Sequence, residues 1–448
     1  MLRLRCLPFA VAAVVLLTAA SAGAEVVVFR GFTLIDGRGG APLPSAGMVV
    51  DDGRIRQIGR AADLQVPGGA EIVDLAGRFV MPGIVNLHGH LGNVRGLTQD
   101  STFFTREHVE SQLATYAAYG VTSVVTMGTE QALVFDLRAA QRSSRPRVAR
   151  VFTAFRGLTN AGGYPTNLAG LKGVPFEVTT REDVRRAVAE LASRGADLVK
   201  MWVEDHLGLE RTPKFSRELM TAVVEESRRA EMKPVAHVFY LEDARHLAHA
   251  GAAGFVHGVR DRPVDDDLID AMRKGNVWQA ASTLSRELSM FAYADRPAFL
   301  DEPFFRRAMS EDAARTLKSP DYRKRVMGEP LYSRYPEFFE TAKRNLKRLA
   351  DAGVRYGLGT DSGPPARFQG AFEHLEMELM VEAGLTPLQV ITAATRNGAE
   401  FLGVLPDLGT LEPGKWADLL VLRANPLDDI RNTRTLETVY IAGQRVVR

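Results

Sequence analysis

A chain of 448 residues, 46% hydrophobic and 25% charged, is long enough to bury a large core without external staples. Its 56 basic and 54 acidic residues nearly cancel, which excludes the basic excess expected of a nucleic-acid or membrane-surface binder. A single cysteine, Cys6, excludes a disulfide framework.

At the N-terminus, Arg3 and Arg5 precede an apolar run from Leu7 to Ala20, and Ala22-Gly23-Ala24 offers a small-x-small cleavage site before Glu25. This is the layout of a secretory signal peptide over residues 1–24, cut after Ala24, so the mature protein is expected in the periplasm or outside the cell. The run falls short of the roughly 20 apolar residues that cross a bilayer, and no later stretch approaches that length. Cleavage removes Arg3, Arg5 and Cys6 and leaves 54 basic against 54 acidic residues. Cysteine ligands and a cysteine nucleophile leave with the leader.

From Glu25 to about Val80, short β-type runs (VVVFRGFTLID, GMVVDDGRIRQIG, EIVDLAGRFV) are broken by Asp-Gly and Gly-Gly turn signals. ADLLVL (417–422) and TVYIAGQRVV (438–447) read the same way. Neither end has enough strands to bury a sheet face, which predicts one small β-sandwich domain assembled from residues 25–80 and 404–448. Over residues 81–403 the rhythm changes to eight short buried-type strands alternating with amphipathic helices, the proportion of a (β/α)8 TIM-like barrel; a doubly wound sheet is the competing α/β arrangement. Residues 285–340, helical and rich in aromatics, exceed an ordinary loop after strand 7. They suit either a roof over the active-site face or an outer layer with a satellite core.

Alternate residues of a strand point the same way, so His88 and His90 project side by side from the end of the first barrel strand, where barrel active sites are built. The fifth strand ends in His237, the sixth in His257 and the eighth in Asp361 within GLGTDSG, while the fourth contains Lys200. Singly, each has an ordinary structural explanation: a hydrogen-bonded histidine, a turn aspartate, a solvated lysine. Together they form a converging set of N and O donors suited to zinc or a similar divalent ion.

These residues resemble those of the amidohydrolase superfamily, most closely its imidazolonepropionase-like and prolidase-like branch. The resemblance spans the mature chain and rests on PGIVNLHGH, on GLTPLQVITAATRNGAEFLG (384–403) and on LGTLEPGKWADLLVL with NPLDDI. It implies that His88 and His90 bind one metal, that His237 and His257 bind a second, and that Asp361 binds the first. Two zinc ions bridged by a carbamylated Lys200 are implied, or one ion if Lys200 stays unmodified. Asp361 then doubles as the catalytic proton shuttle.

The implied activity is metal-activated hydrolysis of a non-aromatic C–N bond in a small molecule, of amide, N-acyl or dipeptide-like type with a free carboxylate. Lactone or phosphoester hydrolysis on the same metals, and a barrel that binds metal without turnover, are the alternatives. Tyr240 in the loop after strand 5 and Arg156 in the loop after strand 3 are the expected substrate contacts, as hydroxyl and guanidinium. His206 and His374 are further candidates for the site's surroundings. No nucleic acid or membrane partner is expected of the mature chain, and a homo-oligomer is compatible with it.

Overall fold

The computed structural model describes residues 26–205 and 212–446; the expected leader and His206 lie outside the described residues. Val26–Leu34 and Leu43–Asp51, each with a continuous buried apolar run, pair antiparallel, with Val28 opposite Val49 and Phe29 opposite Met48. Arg54–Arg60, Glu71–Asp74 and Phe79–Pro82 complete the N-terminal share of an eight-stranded sheet, and Leu419–Leu422, Leu436–Ile441 and Gln444–Arg445 supply the remainder. The join is the antiparallel pairing of Phe79–Pro82 with Leu419–Leu422, where Val80 faces Val421. Phe29, Met48, Ile55, Leu419 and Val421 belong to one apolar cluster, so this small β-sandwich closes only when both ends of the chain meet.

The barrel strands are β1 (Ile84–Gly89), β2 (Val121–Thr126), β3 (Arg150–Thr153), β4 (Val199–Trp202), β5 (Pro234–His237), β6 (Gly254–Phe255) and β7 (Trp278–Gln279). Neighbours are parallel: Asn86 sits beside Val124, Phe152 beside Val125, Met201 beside Ala236, and Phe255 beside both Ala236 and Gln279. The Asp197 N–H donates to the Thr153 carbonyl at 2.8 Å and joins the β3 and β4 sides. Extended segment 356–362 takes the eighth place: the Gly357 N–H reaches the Gln279 carbonyl at 3.0 Å, and the Leu87 N–H reaches the Leu358 carbonyl at 2.8 Å. The result is a closed (β/α)8 barrel. Its interior is packed by Val85, Leu87, Val125, Val235 and Val256, so chemistry is confined to the strand ends.

Residues 285–340 fold mainly as packing. Tyr293, Phe299, Phe305 and Tyr322 join the main core, and Phe239, Tyr335 and Phe338 form a separate small cluster beside β5. Helix α1 (Leu284–Ser289) opens this region, α2 (Tyr335–Asp351) ends it, and α3 (Ala371–Glu382) follows the eighth strand position.

Candidate metal centre

The barrel brings His88, His90, His237, His257, Lys200 and Asp361 to one end of its strands. The His88 ring centroid lies 5.3 Å from that of His90 and 4.9 Å from that of His257, and the His237 and His257 centroids are 3.9 Å apart. Ligand atoms of His88, His257 and Asp361 all fall within 4.8 Å of one another. Glycines permit this closeness. A Cβ on Gly359 would stand 2.3 Å from the Ala281 Cβ and 3.0 Å from that of His88. Asp361 itself takes a left-handed backbone (φ 55°), a strained conformation for a non-glycine residue and one common at functional sites.

Backbone and hydroxyl partners decide which ring nitrogen faces the centre. His88 Nδ1 lies 2.8 Å from the Val256 carbonyl, which can only accept, so Nδ1 carries the proton and Nε2 the lone pair. His257 Nδ1 is 2.8 Å from the Thr283 hydroxyl, and His90 Nδ1 is 3.0 Å from that of Thr129. Nε2 of His88 and of His257 is buried without a hydrogen-bond partner, while Nε2 of His90 lies 2.9 Å from Asp361 Oδ1. His237 is held differently: its Nε2 stands 2.9 Å from Glu204 Oε1, in a contact not aligned as a hydrogen bond. Lys200 Nζ is fully buried, has no hydrogen-bond partner among the described residues, and lies 5.2 Å from the Trp202 ring centroid.

The electrostatics favour neutral imidazoles beside an ionised carboxylate. Burial and the Lys200 charge push His88 well below the usual imidazole range, and burial with the His237 charge does the same to His257. Burial lowers His237 to about 4 and Lys200 to about 7, although Asp361, Glu130 and Glu204 pull the lysine back upward. Burial alone would raise Asp361, but Arg367, His88 and His90 hold it well below the ordinary carboxylate range. Glu204 is likewise raised by burial, yet His237, Arg260 and Arg286 bring it to about 2. Metal ligation by nitrogen and oxygen donors needs these protonation states.

The structure does not bring both expected substrate contacts to the cleft. Arg156 turns away: its guanidinium donates to the carbonyls of Gly173, Val174 and Pro175 and lies over the Phe176 ring. The expectation that it orients substrate is therefore corrected, because the excursion after β3 folds back and encloses the guanidinium. Tyr240 starts the helix after β5, and its hydroxyl donates to Asp205 Oδ1 at 2.9 Å. His374 is buried behind the barrel between Thr433 and the Tyr119 carbonyl. The cleft over the cluster is instead lined by Gln99, Tyr164, Leu168, Leu171, Trp202 and Arg367, besides His88, His90, His237 and Asp361.

Sequence reasoning overlooked Glu204, Arg286 and Arg367. Strand alternation could have revealed Glu204, since Lys200, Trp202 and Glu204 share one parity. Arg286, on α1, places Nε 3.9 Å from Asp361 Oδ2, and Arg367 pairs with the same oxygen; neither sits at a strand end, where the donors were sought.

Comparison with known proteins adds an independent line. A model of the amidohydrolase family matches residues 79–446. The chain is 22% identical over 419 residues to 5-methylthioadenosine/S-adenosylhomocysteine deaminase of Bacillus cereus (strain 03BB102), a match covering 86% of this chain and 85% of the relative. Among solved structures it superposes on a Xaa-Pro dipeptidase with bound methionine (TM-score 0.75, 21% identity, 94% of this chain and 99% of the other). It also superposes on phenylurea hydrolase B (TM-score 0.73, 25% identity, 94% and 97% covered).

Proposed function

The chain belongs to the amidohydrolase family, whose members here hydrolyse C–N bonds, and on that premise we propose an exported, metal-dependent amidohydrolase that cleaves a non-aromatic amide-type bond in an N-acyl or dipeptide-like substrate. The observation that carries this reading is the donor set. Buried imidazole nitrogens of His88 and His257 have no hydrogen-bond partner among the described residues, and they face Asp361 within ligand distance of one another. Unpaired buried polar atoms are costly, and an ion of the right size relieves that cost.

His88, His90 and Asp361 would hold one divalent cation, zinc being well suited to the donors, and His237 and His257 a second. Lys200 suits a bridge. As a neutral amine, its unpartnered Nζ can attack carbon dioxide, lose a proton and become a carbamate, which supplies two oxygens where the amine has one nitrogen. Such a donor set, when loaded, supplies an acidified water nucleophile and a Lewis acid for the scissile carbonyl. The residues do the rest. Asp361 accepts the proton of the attacking water and returns it to the leaving nitrogen, and Arg367 keeps that carboxylate ionised and oriented until it is needed. Burial raises the Tyr164 phenol to about 12, so at the cleft wall it stays a neutral hydroxyl able to donate to a substrate carbonyl.

The test combines metal analysis with a substrate panel. Purified mature protein is expected to carry one to two divalent ions per chain, with the second lost when carbon dioxide is stripped and regained on adding bicarbonate. Loaded enzyme is expected to hydrolyse N-acyl amino acids or dipeptides. A response confined to lactones or phosphoesters would overturn the substrate class, and absence of stoichiometric metal would favour a barrel that binds without turnover.

A further inference from the structure

The cleft contains one cation whose present partner is needed elsewhere. Arg367 lies six residues beyond Asp361, in a tight turn: the Gly363 N–H donates to the Arg367 carbonyl at 2.9 Å, and the Arg367 N–H donates to the Pro364 carbonyl at 3.1 Å. A Cβ on Gly363 would come within 2.3 Å of the His90 carbonyl oxygen, and Gln369 Nε2 donates to that same oxygen at 2.7 Å. Tyr293 pins the turn from the other side through the Ala366 carbonyl. The guanidinium is thus presented by a packed turn, not by a free loop.

Only Nη1 of this guanidinium has an acceptor among the described residues, namely the carboxylate and carbonyl of Asp361. Nε and Nη2 remain on a side chain 16% exposed to the cleft. Other acids nearby are already matched: Glu287 accepts both oxygens' worth of bonds from Arg286 and lies 3.1 Å from Arg260 Nε, and Glu204 faces His237. Arg260 and Arg286 share Glu287 away from the cleft lining, whereas Arg367 is the guanidinium on the cleft wall, and its one partner, Asp361, would also have to serve a divalent ion. A half-buried cation that must share its only anion is costly, so the site favours a ligand that brings another. Position reinforces this, because Arg367 and Pro364 line both the metal cleft and an adjoining cavity of about 280 Å³ that also touches Arg95, His108 and Gln112.

We propose that Arg367 reads a carboxylate next to the scissile amide, and so sets a preference for N-acyl amino acids or dipeptides over neutral amides. The planar fork suits bidentate capture of a carboxylate. Leu168, Leu171 and Trp202, which line the same cleft, provide the apolar surface for the acyl part. This inference rests on the proposed C–N hydrolysis for its biological meaning, but not for its test.

The test uses a probe that the enzyme cannot hydrolyse. N-Benzenesulfonylglycine and its primary carboxamide are titrated calorimetrically into metal-loaded wild type, Arg367→Gln and Arg367→Lys, with metal content measured for each. Wild type is expected to bind the acid tighter than the amide by on the order of 30-fold or more, the scale of a charged hydrogen-bonded pair. Arg367→Gln is expected to shrink that ratio to within about 3-fold, with Lys intermediate. Retention of the full preference in Arg367→Gln overturns the proposal, since Arg367 would then act only on Asp361. Absence of acid preference in wild type overturns it whether or not the variants fold. If every amide substrate resists turnover while the acid preference depends on Arg367, the C–N reading fails and the carboxylate site stands.

Discussion

At the scale of single residues, each donor of the proposed centre is held by something that is not itself a proposed ligand. Val256, Thr283 and Thr129 fix three imidazoles through Nδ1, and Glu204 stands against Nε2 of the fourth. Partners of this kind govern metal affinity nearly as strongly as the ligands do. Glu204→Gln, which removes the charge beside His237 but keeps the shape, is expected to weaken metal binding by roughly 10- to 100-fold. Competition with a chromogenic chelator measures this directly, and unchanged affinity would contradict it. On the proposed mechanism Asp361 carries two roles, ligand and proton carrier. Its replacement by Asn is therefore expected to reduce turnover by on the order of 10³-fold or more, beyond the loss in His237→Asn assayed at the same saturating metal. Appreciable Asp361→Asn activity would remove the proton role.

At the scale of elements, α3 acts as a brace between strand ends. Glu373 Oε1 accepts from Asn86 on β1 at 2.6 Å and from Thr360 and Ser362 of the eighth strand position at 2.8 and 2.7 Å. One turn on, Glu376 accepts from the Leu284 and Ser285 N–H groups and from two serine hydroxyls, capping the helix that carries Arg286. Burial raises the Glu373 carboxyl from 4.5 to about 7, and its Oε2 has no partner. A folded-state pKa raised in this way contributes stability fully present below about pH 4.5 and lost as pH rises through about 7. Tyr116, whose hydroxyl meets Ser362 at 2.6 Å, is pushed well above its ordinary range by burial and stays neutral across that window. Glu373→Gln imitates the protonated form, so its stability relative to wild type should improve by on the order of 1–3 kcal/mol between pH 5 and pH 8. Urea unfolding midpoints at both pH values provide the check; an equal offset at the two would refute the assignment.

At the scale of the molecule, the two halves of the β-sandwich and the barrel are tied at β3. Arg150 pairs with Asp418, just before Leu419–Leu422, and Asp418 Oδ1 also accepts from the Ala442 N–H at 2.8 Å. Both side chains are largely buried, so Arg150→Ala strands a carboxylate in the interior and is expected to cost roughly 3–5 kcal/mol. Calorimetry should show a thermal midpoint lowered by several degrees. Partial recovery in the double variant Arg150→Met, Asp418→Asn is expected, because the stranded charge is then gone.

Local periodicity determined much of this protein. Short apolar runs bounded by turn signals marked the strands, helical periods marked the helices between them, and strand ends carried His88, His90, His237, His257 and Asp361. That both chain ends share one β-domain followed from each being too small to bury itself; that Phe79–Pro82 is the strand that meets Leu419–Leu422, apart from the barrel strand after it, was decided by the fold. Side chains on irregular segments were decided otherwise. Arg156 and Arg367 look alike along the chain, yet one is enclosed by the carbonyls of residues 173–175 and the other faces the cleft. A long guanidinium follows whichever acceptors the tertiary fold brings within reach, and those acceptors are distant contributions that no short-range pattern encodes. The eight-strand barrel was legible from the sequence; which arginine stands over its cluster of histidines and aspartate was settled only when the loops closed.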